Sequence, residues 1–279
     1  MTPSVALAKI LNRCKILSHF NFIVTVPFNS RTYKIPLLQK AGFSHLYMHR
    51  DYDYNVYDHF KNHIAQGIFL DIGASIGQTI LKIKAINPDN AIVSVEPNPN
   101  CLYYLNDLKK CNQFQNLTII PAAISDDSGL RKLFILNSFD TSASLITTYR
   151  ENYFDPAHYI YVNTIRSEDL SQVLSQPISF IKIDVEGAEL NVIRALRSTI
   201  IKDKPVIYCE VLDAHNEKML PKKKELKQSI YSLVTADLNY QIFSFDVKSG
   251  QLIKLDGFPD RIYQASNLDA CNYVFTPVS

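Results

Sequence analysis

The sequence has no Cys-x-x-Cys pair, no internal repeat, no low-complexity tract and no surplus of one charge sign, and each absence narrows what the chain can be. Five scattered cysteines (Cys14, Cys101, Cys111, Cys209 and Cys271) make no disulfide framework, and an odd number of this kind points to a reducing compartment. Cys209 falls in a predicted strand and Cys271 directly before one, where a free thiol packs as a small apolar group. With 29 Lys and Arg against 27 Asp and Glu the formal net charge is +2, too near balance for a strong field toward nucleic acid or an anionic membrane. Lys9, Arg13 and Lys15 break up the apolar residues of the N-terminus, leaving no continuous core for a signal peptide. No window approaches the roughly 18 apolar residues of a membrane span. The expectation is a cytoplasmic, soluble protein with no membrane span and no nucleic-acid partner; a homo-oligomer is left open.

What is present is an ordinary globular composition, 47% hydrophobic and 20% charged, in 279 residues, enough for one large α/β domain. Residues 5–17 show a short amphipathic helix, and Phe22–Val26 and Arg31–Pro36 read as a β-hairpin around Pro27-Phe28-Asn29-Ser30. Residues 43–60 are crowded with Tyr and His (Tyr47, His49, Tyr52, Tyr54, Tyr57, His59) without a clear period. From Gly67 apolar runs alternate with helical stripes. Strands are predicted at Ile68–Leu70, Ala91–Val95, Leu117–Ile120, Leu133–Leu136 (a short edge strand), Ile178–Asp184, Pro205–Leu212, Gln241–Val247 and Asn272–Val278. Helices follow with Ile76, Ile80 and Ile83, then Leu102, Leu105 and Leu108, then Leu190, Ile193 and Leu196, then Leu226, Ile230 and Leu233. This alternation predicts a doubly wound, mostly parallel sheet. The last two strands have no helix between them and should pair antiparallel at one edge. The organisation expected is an N-terminal helix and hairpin extension over 1–66 and the main domain over 67–279.

In such a sheet ligands bind beyond the carboxyl ends of the strands, near the switch point. Asp71, Glu96 and Asp184 sit at such ends, and Glu210 lies near the next. The first turn reads Asp71-Ile72-Gly73-Ala74-Ser75-Ile76-Gly77. Gly73 allows a sharp turn close to a ligand, and Gly77 close packing of helix on strand. A dinucleotide loop wants a further glycine where Ala74 and Ser75 stand, and Asp71 would repel phosphate but attract an ammonium group. Glu96 ends the second strand a little over ~20 residues on, where an acid accepts hydrogen bonds from ribose hydroxyls. An amino acid end, a ribose and a charged centre between them describe S-adenosylmethionine.

Three segments then resemble the FkbM family of methyltransferases: Phe69-Leu70-Asp71-Ile72-Gly73-Ala74-Ser75-Ile76-Gly77-Gln78-Thr79, Val95-Glu96-Pro97-Asn98-Pro99 and Ile181-Lys182-Ile183-Asp184-Val185-Glu186-Gly187-Ala188-Glu189-Leu190. They run in order within residues 67–212, and the third is the most specific; Ser75 stands where relatives often carry Asn. The resemblance implies a class I methyltransferase (Rossmann-like) fold with a seven-stranded sheet and an antiparallel last strand. It implies S-adenosyl-L-methionine as donor and O-methylation of a sugar, glycan or natural-product hydroxyl, so the partner is a small-molecule or saccharide acceptor. By position, Asp71, Gly73, Ala74 and Gly77 would hold the methionine end and Glu96 the ribose, with Ser75, Gln78, Pro97 and Asn98 also in the cofactor site, and Ala123, Ile124, Ser125 and Asp126 would lie near the adenine. Asp184 would sit beside the reacting centre.

An alcohol is a poor nucleophile while protonated, so a base near the acceptor helps. Asp184, Glu210 and His215, on or after neighbouring strand ends, are the candidates. Asp184, Glu186, Glu210 and His215 offer a divalent cation oxygen and imidazole ligands, but no spacing is a metal signature and no metal is assigned. Glu186 and Glu189 open a helix, where acids complement the dipole. The aromatic segment 43–60 either lines an acceptor site or covers the sheet. The run Lys222-Lys223-Lys224 with Lys227 is expected on the solvated face of its helix. Two other classes remain on these grounds, a nicotinamide-dependent oxidoreductase and a non-catalytic cofactor-binding scaffold.

Overall fold

The computed structural model describes residues 2–50, 53–147, 153–264 and 270–278. The chain opens with α1 (Pro3–Arg13), which lays Val5 and Ala8 against the hairpin of β1 (Asn21–Phe28) and β2 (Arg31–Leu38). Alternate residues Val24, Val26 and Phe28 face inward with Tyr33, Ile35 and Leu37, the period of two that a one-sided strand requires. The turn residues Asn29 and Ser30 both take left-handed φ, 45° and 60°, which matches a two-residue turn to the twist of its strands. A 3-10 segment (Phe43–Arg50), α2 (Asp53–His59) and α3 (Lys61–Ile64) carry the chain to the sheet.

The alternating half begins with β3 (Ile68–Ile72), α4 (Gln78–Ile86), β4 (Ile92–Val95), α5 (Pro99–Asn112) and β5 (Leu117–Ile120). A side sheet follows, from β6 (Ala123–Ile124), β7 (Gly129–Phe134) and β8 (Tyr159–Ile165), then α6 (Ser167–Leu170). The second half runs β9 (Ile178–Ile183), α7 (Glu189–Ala195), α8 (Arg197–Asp203), β10 (Val206–Glu210), α9 (Leu220–Ser232), β11 (Tyr240–Asp246), β12 (Gln251–Leu255) and β13 (Asn272–Pro277). The main sheet has the order β12-β11-β13-β10-β9-β3-β4-β5. β3, β4, β5, β9 and β10 pair in parallel and β13 runs antiparallel to both of its neighbours. Seven of these strands form the doubly wound sheet expected. The eighth, β12, pairs antiparallel with β11 and takes the edge. The last two predicted strands do pair, but β13 is inserted between β10 and β11 rather than left at the rim. The predicted strand Leu133–Leu136 is an edge strand of the side sheet instead, shifted to Gly129–Phe134 and paired with β8.

Both faces of the main sheet are covered, so β3 and β4 are buried at every position, as parallel strands between two helical layers must be. On one face Leu70, Ile72, Ile181 and Ile183 meet Val192, Ile193 and Ile230. On the other, Tyr57 packs edge-on against Phe69, Phe180 and Tyr208, with centroids 5.7–6.1 Å away. From the aromatic segment Tyr57 therefore covers the sheet, while Tyr47 and Tyr54 pack in the N-terminal layer. The N-terminal layer shares a core with the next two helices, Val24, Ile35 and Leu46 clustering with Leu81, Tyr104 and Leu108. Two lysines depart from expectation. Lys223 and Lys227 are buried rather than solvated, and Lys227 Nζ lies 2.5 Å from the carboxylate of the fully buried Asp213, which also pairs with Arg261 at 3.1 Å. A buried charge survives only when paired in this way.

Candidate active site

The chain crosses from β5 to β9 around the β3–β9 junction, so the carboxyl ends of these two strands open onto the switch point. At Gly73 φ is +82°, and a Cβ there would stand 1.8 Å from the Asp184 carbonyl oxygen. Only glycine lets the two strand ends approach this closely. Gly77 also has φ +82° and caps α4, but its missing Cβ faces Leu105 and Leu108 of α5. It permits helix-on-helix packing, where helix on strand was expected. Between them Ser75 is left-handed at φ 48°.

A carboxylate and an imidazole hold this loop. Glu96 Oε2 accepts from the Ser75 N–H and Oε1 from the Asn98 N–H, each at 2.8 Å. Glu96 is 6% exposed; burial pushes its carboxyl up to about 7, against the pull of these two N–H groups. From the N-terminal layer, the buried His45 donates Nε2–H to the Ile76 carbonyl at 3.0 Å. Burial pushes its imidazole down to about 4, so it is neutral at pH 7. Asn98 caps α5, its side chain accepting from Asn100 N at 3.0 Å, with Pro99 at the first helical position.

Two cavities meet at this loop. The narrow one, about 50 Å³, is bounded by Ile72, Val95, Glu96, Pro97, Ala123 and Ile124 among others. Ser125 and Asp126 are not on its wall: Ser125 turns back to Asp126 and Asp127, at 3.1 and 3.2 Å, and Asp126 is exposed. The wide one, about 640 Å³, is walled by Ala74, Gln78, Lys82, Lys182, Tyr208 and Glu210 among others. Gly73, Ser75, Asp184 and Glu186 belong to both.

Charge along the wide cavity is arranged in pairs. Lys182 Nζ lies 2.9 Å from Asp184 Oδ2. Burial works against the Lys182 charge, but Asp184 and Asp71 beside it outweigh burial and hold the ammonium above the ordinary lysine range. Lys82 reaches both oxygens of Asp53, at 2.6 and 2.8 Å. Asp71 is fully buried, and neither of its oxygens meets a hydrogen-bond donor among the described residues. Burial pushes it up to about 6, opposed by Lys182 and reinforced by Asp184. Carboxylate oxygens of Asp184, Glu186 and Glu210 come within 4.8 Å of one another, close enough to share one proton or one cation; acids meet in this way without a metal, and none is assigned. Burial first, then the charges of Asp184, Glu186 and Glu189, pushes Glu210 well above the usual carboxylate range. Glu189 accepts the Gly187 N–H at 2.7 Å and fits the helix-opening role. Glu186, left-handed at φ 53°, sits in the turn before α7 and on the cavity wall instead. His215 is not among the wall residues: its ring lies 5.0 Å from Tyr263, which is.

A left-handed glycine turn without room for a Cβ, a buried acid tied to that turn and an acid-bearing second strand end reproduce in space the three segments singled out in the sequence. The sequence from 71 to 242 matches the model of the Methyltransferase FkbM domain. The chain belongs to the FkbM methyltransferase family. No curated protein matches it. Among solved structures, a methyltransferase FkbM from Methylobacillus flagellatus is similar at 16% identity and a TM-score of 0.43, over 73% of this chain and 50% of that one. This FkbM chain thus spans half the length of that protein. Aeropyrum pernix fibrillarin in complex with natively bound S-adenosyl-L-methionine is similar at 12% identity and TM-score 0.45, over 91% and 82%. A SAM-dependent O-methyltransferase from Thermotoga maritima is similar at 8% and 0.40, over 92% and 78%.

The residues present fit the donor of an FkbM methyltransferase. Asp71 is an orphaned buried acid beneath the loop, and the backbone at Gly73 leaves a cradle that any Cβ would fill. Sequence reasoning missed most of the wide cavity: Ser44 and Asp53 from the N-terminal layer, Lys82, the loop at Thr141 and Ser142, Lys182, Tyr263 and Asn272. Of these only Lys182 carried a signal, lying two residues before Asp184 and so on the same side of its strand. From the aromatic segment the wall takes Ser44 and Asp53 rather than a ring; Tyr52 lies outside the described residues.

Proposed function

We propose that this FkbM methyltransferase transfers a methyl group from S-adenosylmethionine to a hydroxyl of a saccharide or a comparably polar natural product, in the cytoplasm. One observation carries the reading: a narrow slot ending on Glu96 and a wide polar cavity meet at Asp184 and Glu186, with Glu210 beside them on the wall of the wide one. The wide cavity offers carboxylates, ammonium groups, Ser, Thr and Gln side chains together with the ring of Tyr263, a lining suited to a polyhydroxylated acceptor and ill suited to an apolar one.

S-adenosylmethionine supplies an electrophilic methyl on a sulfonium whose charge is lost in the transfer. Glu96, already fixed by Ser75 and Asn98, keeps free lone pairs for ribose hydroxyls, while Pro97, Ala123 and Ile124 form the slot for the base. The Gly73–Ser75 backbone and Asp71 receive the methionine end, with Gln78 at the start of α4 beside it. Asp184, steadied by Lys182, orients the acceptor hydroxyl. Glu210 takes its proton as the oxygen–carbon bond forms and the carbon–sulfur bond breaks. A carboxyl raised by its neighbours is a stronger base than an exposed one and better matched to this step near neutral pH. Positioning of two reactants at one junction supplies the rest.

The test incubates the protein and methyl-labelled S-adenosylmethionine with a polar metabolite and glycan extract of a strain lacking the protein. Label in a carbohydrate fraction that survives mild base, as an ether does and an ester does not, is the expected result. Label confined to base-labile esters or to amines, or none with an intact donor complex, overturns the acceptor class.

A further inference from the structure

We propose that the N-terminal layer is a docking surface for an anionic phospholipid bilayer. Five of the fourteen large apolar residues that stand exposed among the described residues fall within residues 7–23. Leu7 and Ile10, 50% and 59% exposed, lie one turn apart on the outer side of α1, opposite the buried Ala8. Ile16 and Phe20, 41% and 45% exposed, flank a short 3-10 turn (Leu17–His19), and Ile23, 53% exposed, lies on β1, against which α1 is held by Thr2 Oγ1 donating to the Thr25 carbonyl at 3.0 Å. Single exposed apolar side chains are ordinary; a group of this size in consecutive elements that pack together is not.

Charge says what covers it. Residues 1–50 hold seven Lys and Arg (Lys9, Arg13, Lys15, Arg31, Lys34, Lys40 and Arg50) and no Asp or Glu. The other 22 basic residues share the remaining chain with all 27 acidic ones, so the net charge of +2 conceals a cationic front and an anionic body. Arg13 and Lys15 are exposed beside the apolar group and form no ion pair among the described residues. Nucleic acid would satisfy the cations and leave the leucine and isoleucine side chains in water. A second copy docked face to face would set one cationic surface against another. An anionic bilayer surface answers both, taking apolar side chains between its headgroups and cations at its phosphates. No helix of the described residues is long and apolar enough to cross a membrane, so attachment is peripheral.

The experiment is co-sedimentation of the intact protein with vesicles of phosphatidylcholine alone or mixed with phosphatidylglycerol. Binding to the mixed vesicles should be at least about tenfold tighter and should weaken with added salt. Arg13→Gln with Lys15→Gln, and separately Leu7→Ser with Ile10→Ser, should each reduce it about tenfold or more, with donor affinity and melting temperature unchanged. Ile16→Ser with Phe20→Ser serves as an independent apolar variant should the first pair disturb α1. Failure to bind mixed vesicles, binding indifferent to both apolar pairs, displacement by duplex RNA, or a dimer that the apolar pairs dissolve would each overturn the proposal.

Discussion

The two cavities share a wall and differ in almost everything else. The narrow one is lined by stretches of chain between Ile72 and Val192, and its buried acids, Glu96 and Asp140, are each tied to two backbone N–H groups. The wide one draws on residues from Ser44 to Asn272, and its charges are tied to one another as side-chain pairs. Backbone-held geometry is set before a ligand arrives. Side-chain pairs such as Lys82–Asp53 can be exchanged for others, so the wide cavity can be altered residue by residue while the narrow one keeps its shape.

The largest effect that would break this comparison is at Gly73. Gly73→Ala places a methyl on the Asp184 carbonyl, in a left-handed turn costing about 1–3 kcal/mol by itself. Donor binding measured calorimetrically should be abolished. Gly250→Ala, at φ +69° but with open space around it, should leave it intact. Equal affinities in the two variants would mean that the loop is not the donor site.

Next, Glu210→Gln should reduce turnover by about 10²–10⁴-fold, the usual contribution of a general base, while the donor dissociation constant stays within threefold or so of the parent. His215→Ala, behind Tyr263, should cost far less. If the histidine variant is the crippled one, the base has been misassigned.

Glu96→Gln sharpens the contrast from the other side. It should weaken donor binding by roughly 1.5–3 kcal/mol, the range for hydrogen bonds to a charged group, and leave the acceptor Michaelis constant unmoved. The glutamine variant is the one to use, because its amide oxygen keeps one of the two backbone contacts, whereas Glu96→Ala releases both the Ser75 and Asn98 N–H groups. A change in acceptor binding with donor affinity intact would reverse the roles of the cavities.

The smallest effect is one of pH. Asp71 and Glu96 are raised to about 6 and about 7 in the folded chain, so folding favours their protons. Their contribution to the stability of the free protein is full below pH ~4 and lost as pH rises through 6 and 7. Donor binding asks for the carboxylates and should weaken as pH falls through the same window, toward tenfold per unit once a single acid is protonated. Thermal shift by the donor should therefore grow from pH 5.5 to 8; a flat profile would show that neither acid meets the donor.

How much could be read in advance follows the same division. Asp71, Gly73, Glu96 and Asp184 stand at strand ends flagged by glycine and proline, so local pattern places them. Lys227 sits one turn from Ile230 and looks solvated until Asp213, 14 residues earlier and beyond the end of β10, is seen opposite it. Gly77 was legible as a close contact, though not as one with Leu105 and Leu108 of a helix still to come. His215 follows a strand whose chain stays buried through Ala214, and the bridge of Ala214 to Ile262 brings Tyr263, not the imidazole, to the cavity. β8 and β12 are mostly exposed or half-buried and carry no continuous apolar run of their own, so neither was expected. The cationic front was present in plain letters, cancelled by the acids of the body.

The hydrogen bond from His45 to the Ile76 carbonyl reaches across the boundary between the front of the chain and its motifs. Because that imidazole is neutral and enclosed with Tyr104, at a ring distance of 5.7 Å, no solvent group stands ready to replace it. A hybrid enzyme that borrows this chain only from residue 67 onward would inherit the letters of the donor loop without its brace. The exchangeable unit in recombining such methyltransferases is therefore longer than the motif-bearing stretch, and a successful graft has to begin ahead of His45.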